Sequence, residues 1–174
     1  MSGRILVAEE DGVYLMKFEG DVRLTLCAAV DDFLDTMLGN TAFKSVIVDL
    51  CSAEGIDSTA LGVLAKLSIH LQRRFGRIPD LVCDQPHIQR VLESMGFDDV
   101  FRMHADRALL GSELVPNTNQ QALNSSDAVS EVEMQQRVLA AHQVLMQLNS
   151  ANRERFRDLV ATLEGSAAEP AKTK

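Results

Sequence analysis

The spacing of apolar residues along the chain switches between two and three-to-four, and each switch marks an element. Alternation predicts strands at Ile5 to Glu9 and Val13 to Phe18. Glu10-Asp11-Gly12 between them is a hairpin signal. Leu26, Val30, Phe33, Leu34, Met37 and Leu38 share one face of a predicted helix over 24–38. Thr25 is its cap candidate and Gly39-Asn40 its stop. Val46-Ile47-Val48-Asp49-Leu50 is short, β-branched and apolar, which predicts a buried strand. A polar turn follows over Cys51 to Ile56. Leu61, Leu64, Ala65, Leu67, Ser68 and Leu71 then return at helical spacing. Arg73-Arg74 and Gly76 mark that helix's end.

Pro79 to Cys83 predicts a short strand at an edge or entry position, because proline cannot donate to a ladder. Gln85 to Met95 predicts a helix with Pro86 in its first turn and Gly96 beyond its end. Val100 to Met103 and Ala105 to Leu110 predict a last strand and a closing helix. Strand–helix alternation behind a hairpin implies an α/β fold, a mixed β-sheet with helices packed on it. The globular domain is expected over 1–112. Residues 113–127 are rich in Asn, Gln and Ser and predict a polar linker. Ser126-Asp127 offers a cap for a helical extension over 128–164. Its stripes are Val129, Val132, Val138, Ala141, Leu145 and Leu148, then Phe156, Leu159, Val160 and Leu163, with a break at Asn149-Ser150. Residues 165–174 are small and polar and predict a disordered tail.

Composition narrows the function classes. The 174 residues are 46% apolar, enough for a real core. The net charge of −8 disfavours nucleic acid and anionic membranes, both of which need a basic surface. No apolar run approaches the roughly 20 residues of a membrane span, and the N-terminus lacks a signal-peptide layout. Cys27, Cys51 and Cys83 are odd in number and sit in apolar settings, as expected of reduced thiols in a cytoplasmic protein.

The candidate chemistry lies at Asp57-Ser58-Thr59-Ala60-Leu61-Gly62. Asp57 and Ser58 are N-cap residue types at a helix start. A hydroxyl there is expected to be exposed in the positive end of the helix dipole, a good place for a phosphate. Gly62 would let another helix approach the first turn closely. A catalytic reading would need a base near Ser58. Of His70, His87, His104 and His142, His70 lies about three turns along the same helix, out of hydrogen-bond reach. No nucleophile elbow, P-loop or dinucleotide fingerprint occurs, and Cys83 with His87 makes only half a metal site. The expectation is therefore a non-enzymatic protein with no cofactor or metal. The apolar stripes after residue 128 pack on the domain, pair with each other or grip a partner; a stripe does not name what buries it.

The order hairpin, helix, Val46-Ile47-Val48-Asp49-Leu50 and Asp57-Ser58-Thr59-Ala60-Leu61-Gly62, with Ser94-Met95-Gly96-Phe97-Asp98-Asp99-Val100-Phe101 downstream, resembles the STAS domain of anti-sigma factor antagonists. The resemblance covers about residues 4 to 110 and implies a STAS fold. It also implies a phospho-switch. Ser58, the serine after the motif aspartate, is modified by a switch kinase, and the unmodified form binds an anti-sigma factor. Asp57, Thr59, Gly62 and Asp21 become expected partner contacts. Many family members carry an acidic residue a few positions after the glycine of the second strand. Here the segment reads Gly20-Asp21-Val22-Arg23, so either Asp21 acts from a shifted position or Arg23 changes the surface.

Asp21 to Cys27, Leu64 to Ile69 and Ala141 to Asn149 are similar to the antagonists of the HptB-dependent secretion and biofilm pathway of gamma-proteobacteria. That subgroup implies a FlgM-like flagellar anti-sigma factor, a kinase/phosphatase response regulator and a diguanylate cyclase as partners. The alternative is a STAS accessory subunit of a transporter or lipid-trafficking complex, which copurified partners would separate.

Overall fold

The computed structural model describes residues 2–116, 119–123 and 129–168. Strand β1 (Arg4–Glu10) turns antiparallel onto β2 (Val13–Val22). The turn is made by Asp11 and Gly12 with φ of 51° and 86°, the left-handed conformation that an Asp-Gly pair supplies most readily. A 3-10 turn over Leu24–Leu26 leads into helix α1 (Cys27–Gly39). Strand β3 (Ser45–Ile56) then runs parallel to β2 and delivers the chain to helix α2 (Ser58–Phe75). Strand β4 (Asp80–Val82), helix α3 (Pro86–Ser94) and strand β5 (Arg102–His104) follow, then a 3-10 turn over Arg107–Gly111. Strand β6 (Gln121–Ala122) closes the sheet, and helices α4 (Glu131–Met146) and α5 (Ser150–Ala168) end the described chain.

The sheet order is β5-β4-β3-β2-β1-β6, with β2, β3, β4 and β5 parallel and β1 antiparallel to both neighbours. It is the mixed sheet expected. Its faces follow from the period of two. Val46, Val48 and Leu50 point into the main core beneath the helices, where each is at most 1% exposed. Ile47 and Cys51 point the other way, to a smaller cluster with Ala8, Leu15 and Val82 capped by Val115, Leu109 and Leu110.

Several expectations need correction. The polar piece over Cys51 to Ile56 is strand, not turn: β3 keeps pairing with β2 as far as Ile56 opposite Val22, through two register shifts. Thr25 does not cap α1; it lies inside the 3-10 turn. Of the edge and entry alternatives for Pro79 only entry holds: β4 lies between β3 and β5, and Pro79 directly precedes it, its carbonyl accepting from Arg102 N–H at 2.9 Å. The expected closing helix is a 3-10 turn, and the last strand starts at Arg102 because Val100 and Phe101 still bond back to Phe97. The linker is not wholly unstructured, since Gln121–Ala122 adds β6 to the β1 edge. The expected cap at Ser126-Asp127 and the tail from residue 169 lie outside the described residues. Ser130 caps α4 through Glu133 N–H at 3.2 Å, and α5 runs to Ala168, past the expected boundary at 164.

The C-terminal helices join the domain's own core. Leu145, Phe156 and Val160 belong to the main cluster, whereas Val132 from the predicted stripe stays 63% exposed. Asn152 is fully buried, and its amide donates at 2.9 Å to the carbonyls of both Met95 and Leu145. It ties α5 to the end of α3 and to α4 at once. Gly96, at φ 83°, leaves room for Asn149, whose Nδ2 an added Cβ would meet at 2.9 Å.

The three cysteines are free and buried. Burial pushes the Cys27 and Cys51 thiols up to about 12 from an ordinary 9.0. Nearby carboxylates add to this, Asp57 and Asp31 at Cys27, Asp49 at Cys51. The folded state thus holds these protons more tightly than the unfolded state. Their contribution to stability is complete below pH 9 and is lost as pH rises towards about 12. Chemical denaturation at pH 8 and pH 10.5 should show a lower midpoint at the higher pH. A Cys27→Ala, Cys51→Ala chain should lose most of that difference. An equal alkaline loss in both chains would put its origin elsewhere.

Candidate functional site

The candidate site is built where β3 hands over to α2. Asp57 keeps extended backbone (φ −86°, ψ 166°), and its N–H still donates to Val22 O at 3.0 Å, as though the strand ran one residue further. Its side chain has already turned to the helix. Oδ1 accepts Ala60 N–H at 2.8 Å, the N-cap bond. Oδ2 accepts Leu24 N–H at 2.7 Å, from the 3-10 turn before α1. One carboxylate thus caps α2 and pins the β2–α1 turn beside it. It fixes the backbone that carries Ser58.

Ser58 is the first residue of α2, at the positive end of a helix of 18 residues. It is not the exposed hydroxyl the sequence predicts. It is half-buried, and Oγ lies 2.8 Å from Nε2 of His142 on α4. His142 Nδ1 lies 2.6 Å from Val138 O, which can only accept, so Nδ1 carries the proton. In the neutral ring Nε2 is then an acceptor, and the Ser58 hydroxyl donates to it. The imidazole is 2% exposed and sits edge-on to Phe156, ring centres 5.0 Å apart.

Gly62 lies one turn further along α2. A Cβ built there would stand 2.6 Å from both the Cβ and the carbonyl carbon of Ala141. The two helices therefore touch backbone to backbone, a distance open only to glycine. The small-residue approach anticipated from Gly62 exists, and the chain's own α4 makes it. Arg137, one turn before Ala141, reaches Asp31 on α1 at 2.6 Å, and Lys66 of α2 reaches the same carboxylate at 3.4 Å.

The other expected contact residues are spread. Thr59 is buried, 6% exposed, and faces the domain rather than solvent. Asp21 stands at the end of β2 opposite Gly55 and pairs with Arg23 at 2.6 Å, both side chains well exposed. Sequence reasoning missed His142. Its signal was a polar residue set among Val138, Ala141 and Leu145 on one helical face, and nothing local says that this face meets Ser58.

A serine hydroxyl, an imidazole acceptor and a group orienting that imidazole are parts a nucleophilic enzyme would use. Here the ring is walled in by Phe156 and by α4 itself. Two cavities lie elsewhere: about 680 Å³ beside Val7, Tyr14 and Phe33, and about 480 Å³ beside Phe43, Arg77 and Asp80. Among the described residues no group of three or more His, Cys, Asp or Glu is placed to hold a metal, and no helix is long and apolar enough to cross a membrane.

Comparison with known proteins places this architecture. The crystal structure of an anti-sigma factor antagonist from Mycobacterium paratuberculosis superposes with a TM-score of 0.53 at 22% identity, covering 63% of this chain and 93% of that one. At that identity the likeness speaks for the fold. Among curated protein sequences nothing matches. The sequence profile of the STAS domain matches residues 4–109, from β1 through the 3-10 turn after β5 and across the whole Asp57–Gly62 segment, so the chain belongs to the STAS domain family.

Proposed function

We propose that the chain is an anti-sigma factor antagonist, a cytoplasmic binding protein without catalytic activity, switched by phosphorylation of Ser58. The observation that carries this reading is the place of Ser58, directly after the Asp57 cap at the first residue of α2 in a STAS domain. The Mycobacterium neighbour, itself an anti-sigma factor antagonist, supports the same assignment. A phosphoryl group adds roughly −1.5 to −2 charge at neutral pH. At a helix N-terminus that charge is favoured by about 0.3–1 kcal/mol, so the start of α2 tolerates the modification. A protein docked over the same turn does not tolerate it. The dianion would have to be desolvated beside Asp57, whose two oxygens are already engaged by the Leu24 and Ala60 N–H groups. The switch therefore acts on docking. The resemblance of the Asp21–Cys27, Leu64–Ile69 and Ala141–Asn149 segments favours a FlgM-like flagellar anti-sigma factor as target, a kinase/phosphatase response regulator as controller and a diguanylate cyclase as a further partner.

The test is a pull-down with Ser58→Ala and Ser58→Asp chains against a purified FlgM-like anti-sigma factor, with phosphate labelling in cells. Ser58→Ala should abolish labelling and keep binding. Ser58→Asp should weaken binding by about tenfold or more, one charge desolvated at an interface costing at least about 1.4 kcal/mol. Equal binding by both variants and the unaltered chain would place the switch elsewhere.

A further inference from the structure

The surface that such a partner or kinase would use is already occupied. His142 holds the Ser58 hydroxyl, Ala141 fills the space above Gly62, and Arg137 claims Asp31 at the rim. All three belong to α4, outside the stretch matched by the STAS profile. We propose that the α4–α5 hairpin is a displaceable lid over Ser58, and that what replaces it is a partner helix of the same chemistry. That helix carries a small residue against Gly62, a basic residue four positions earlier for Asp31, and an apolar residue four positions later where Leu145 now sits. This deepens, and rests on, the reading of Ser58 as the switch.

Two features make the hairpin detachable. Among the described residues three buried side-chain polar atoms have no protein partner: Ser112 Oγ, Arg137 Nε and Asn152 Oδ1. Two of the three belong to the hairpin, so its docking is incompletely satisfied, whereas none of the three lies in the sheet. Its apolar cover is partial, because Leu159 and Val132 stay exposed while Ala141, Leu145, Phe156 and Val160 are covered. Opening and modification are coupled by space. With Oγ 2.8 Å from the imidazole, a phosphoryl group on Ser58 would take the ring's place, and a modified chain could not reclose in the same geometry.

The test is thiol labelling of a Ser58→Cys chain at full length. The native Cys27, Cys51 and Cys83 are buried and report whether the core stays folded. Expected are slow labelling of Cys at 58, a rate several-fold higher when Arg137→Ala is added, and one about a hundredfold higher with Ala141→Leu, the native thiols staying silent throughout. A synthetic peptide of residues 130–149 should slow labelling in the Arg137→Ala background, and a scrambled peptide should not. Hydrogen exchange on the unaltered chain should show α4 and α5 opening while the sheet stays protected. Labelling at the rate of a free thiol in the Ser58→Cys chain would overturn the lid. So would acceleration only in step with the native cysteines, or no effect of either rim variant. Absence of protection by the peptide would overturn the helix-for-helix exchange. None of these readouts uses phosphate or an anti-sigma factor, so failure here leaves the Ser58 switch standing, and failure of the switch leaves the lid.

Discussion

Replacing Gly62 by alanine should detach the C-terminal hairpin. In an ordinary exposed helix the same change stabilises by about 0.8–1 kcal/mol, because glycine is the poorer helix former. Here the added methyl would stand 2.6 Å from Ala141 Cβ, and the obstacle is α4 backbone as well as side chain. Nothing at that spot can rotate aside, so the whole helix must move by roughly an ångström. The move strains the Ser58–His142 bond and loosens Leu145, which is fully buried. Fully burying a side chain such as leucine or phenylalanine is worth about 1.5–3 kcal/mol, so losing part of that at Leu145, Phe156 and Val160 outweighs the helix gain. Hydrogen exchange should rise by about a hundredfold across α4 and α5, a loss of about 2.7 kcal/mol, with the sheet amides unchanged. A Gly62→Ala chain that melts higher, with α4 still protected, would show that the two helices do not meet there.

Asp57→Ala should be the most destabilising polar substitution at the site. It removes two bonds from one carboxylate, the cap to Ala60 and the pin to Leu24. Hydrogen bonds to a charged group are worth about 1.5–3 kcal/mol each, and loss of a cap alone about 0.5–2, so the combined cost is about 3 kcal/mol. For a chain of this size that lowers Tm by about 6–12 °C. Asp57→Asn separates the two roles. Its carbonyl can keep the Ala60 cap, but its amide then turns a donor towards the Leu24 N–H, so about half the loss should remain. Ser58→Ala should cost only about 1 kcal/mol, one neutral hydrogen bond. If Asp57→Asn proves as stable as the unaltered chain, the carboxylate does not hold the β2–α1 turn.

The parts of this fold that were legible in the sequence are those whose signal is local. The Asp11-Gly12 turn, the α2 face and the Pro86 helix start each follow from a few neighbouring residues. The parts that were not depend on something distant. Ser52, Glu54 and Gly55 carry no strand signal, and only the pairing with β2 extends β3 to Ile56. Gln121 and Ala122 look like linker until β1 offers its free edge. Thr25 was the nearest cap type before α1, yet the bond to Leu24 comes from Asp57, 33 residues away. The site divides the same way. The Asp57-Ser58 helix start is written in four residues. The hydrogen bond to His142 crosses 84 residues and depends on where an amphipathic hairpin docks.

Strand β6 bears on how strongly an outside protein must compete. It fastens the chain to the β1 edge, with Leu123 N–H donating to Ile5 O at 2.9 Å, and only six residues separate Leu123 from the cap at Ser130. A tether of that length reaches at most about 25 Å, so a freed hairpin never leaves the neighbourhood of its seat. Its local concentration stays in the millimolar range. A visitor at micromolar levels then starts at a disadvantage of about a thousandfold, which it must recover through tighter contacts. Such an arrangement sets a threshold: stray, weakly matching helices are turned away, and only a cognate protein in sufficient amount gains entry.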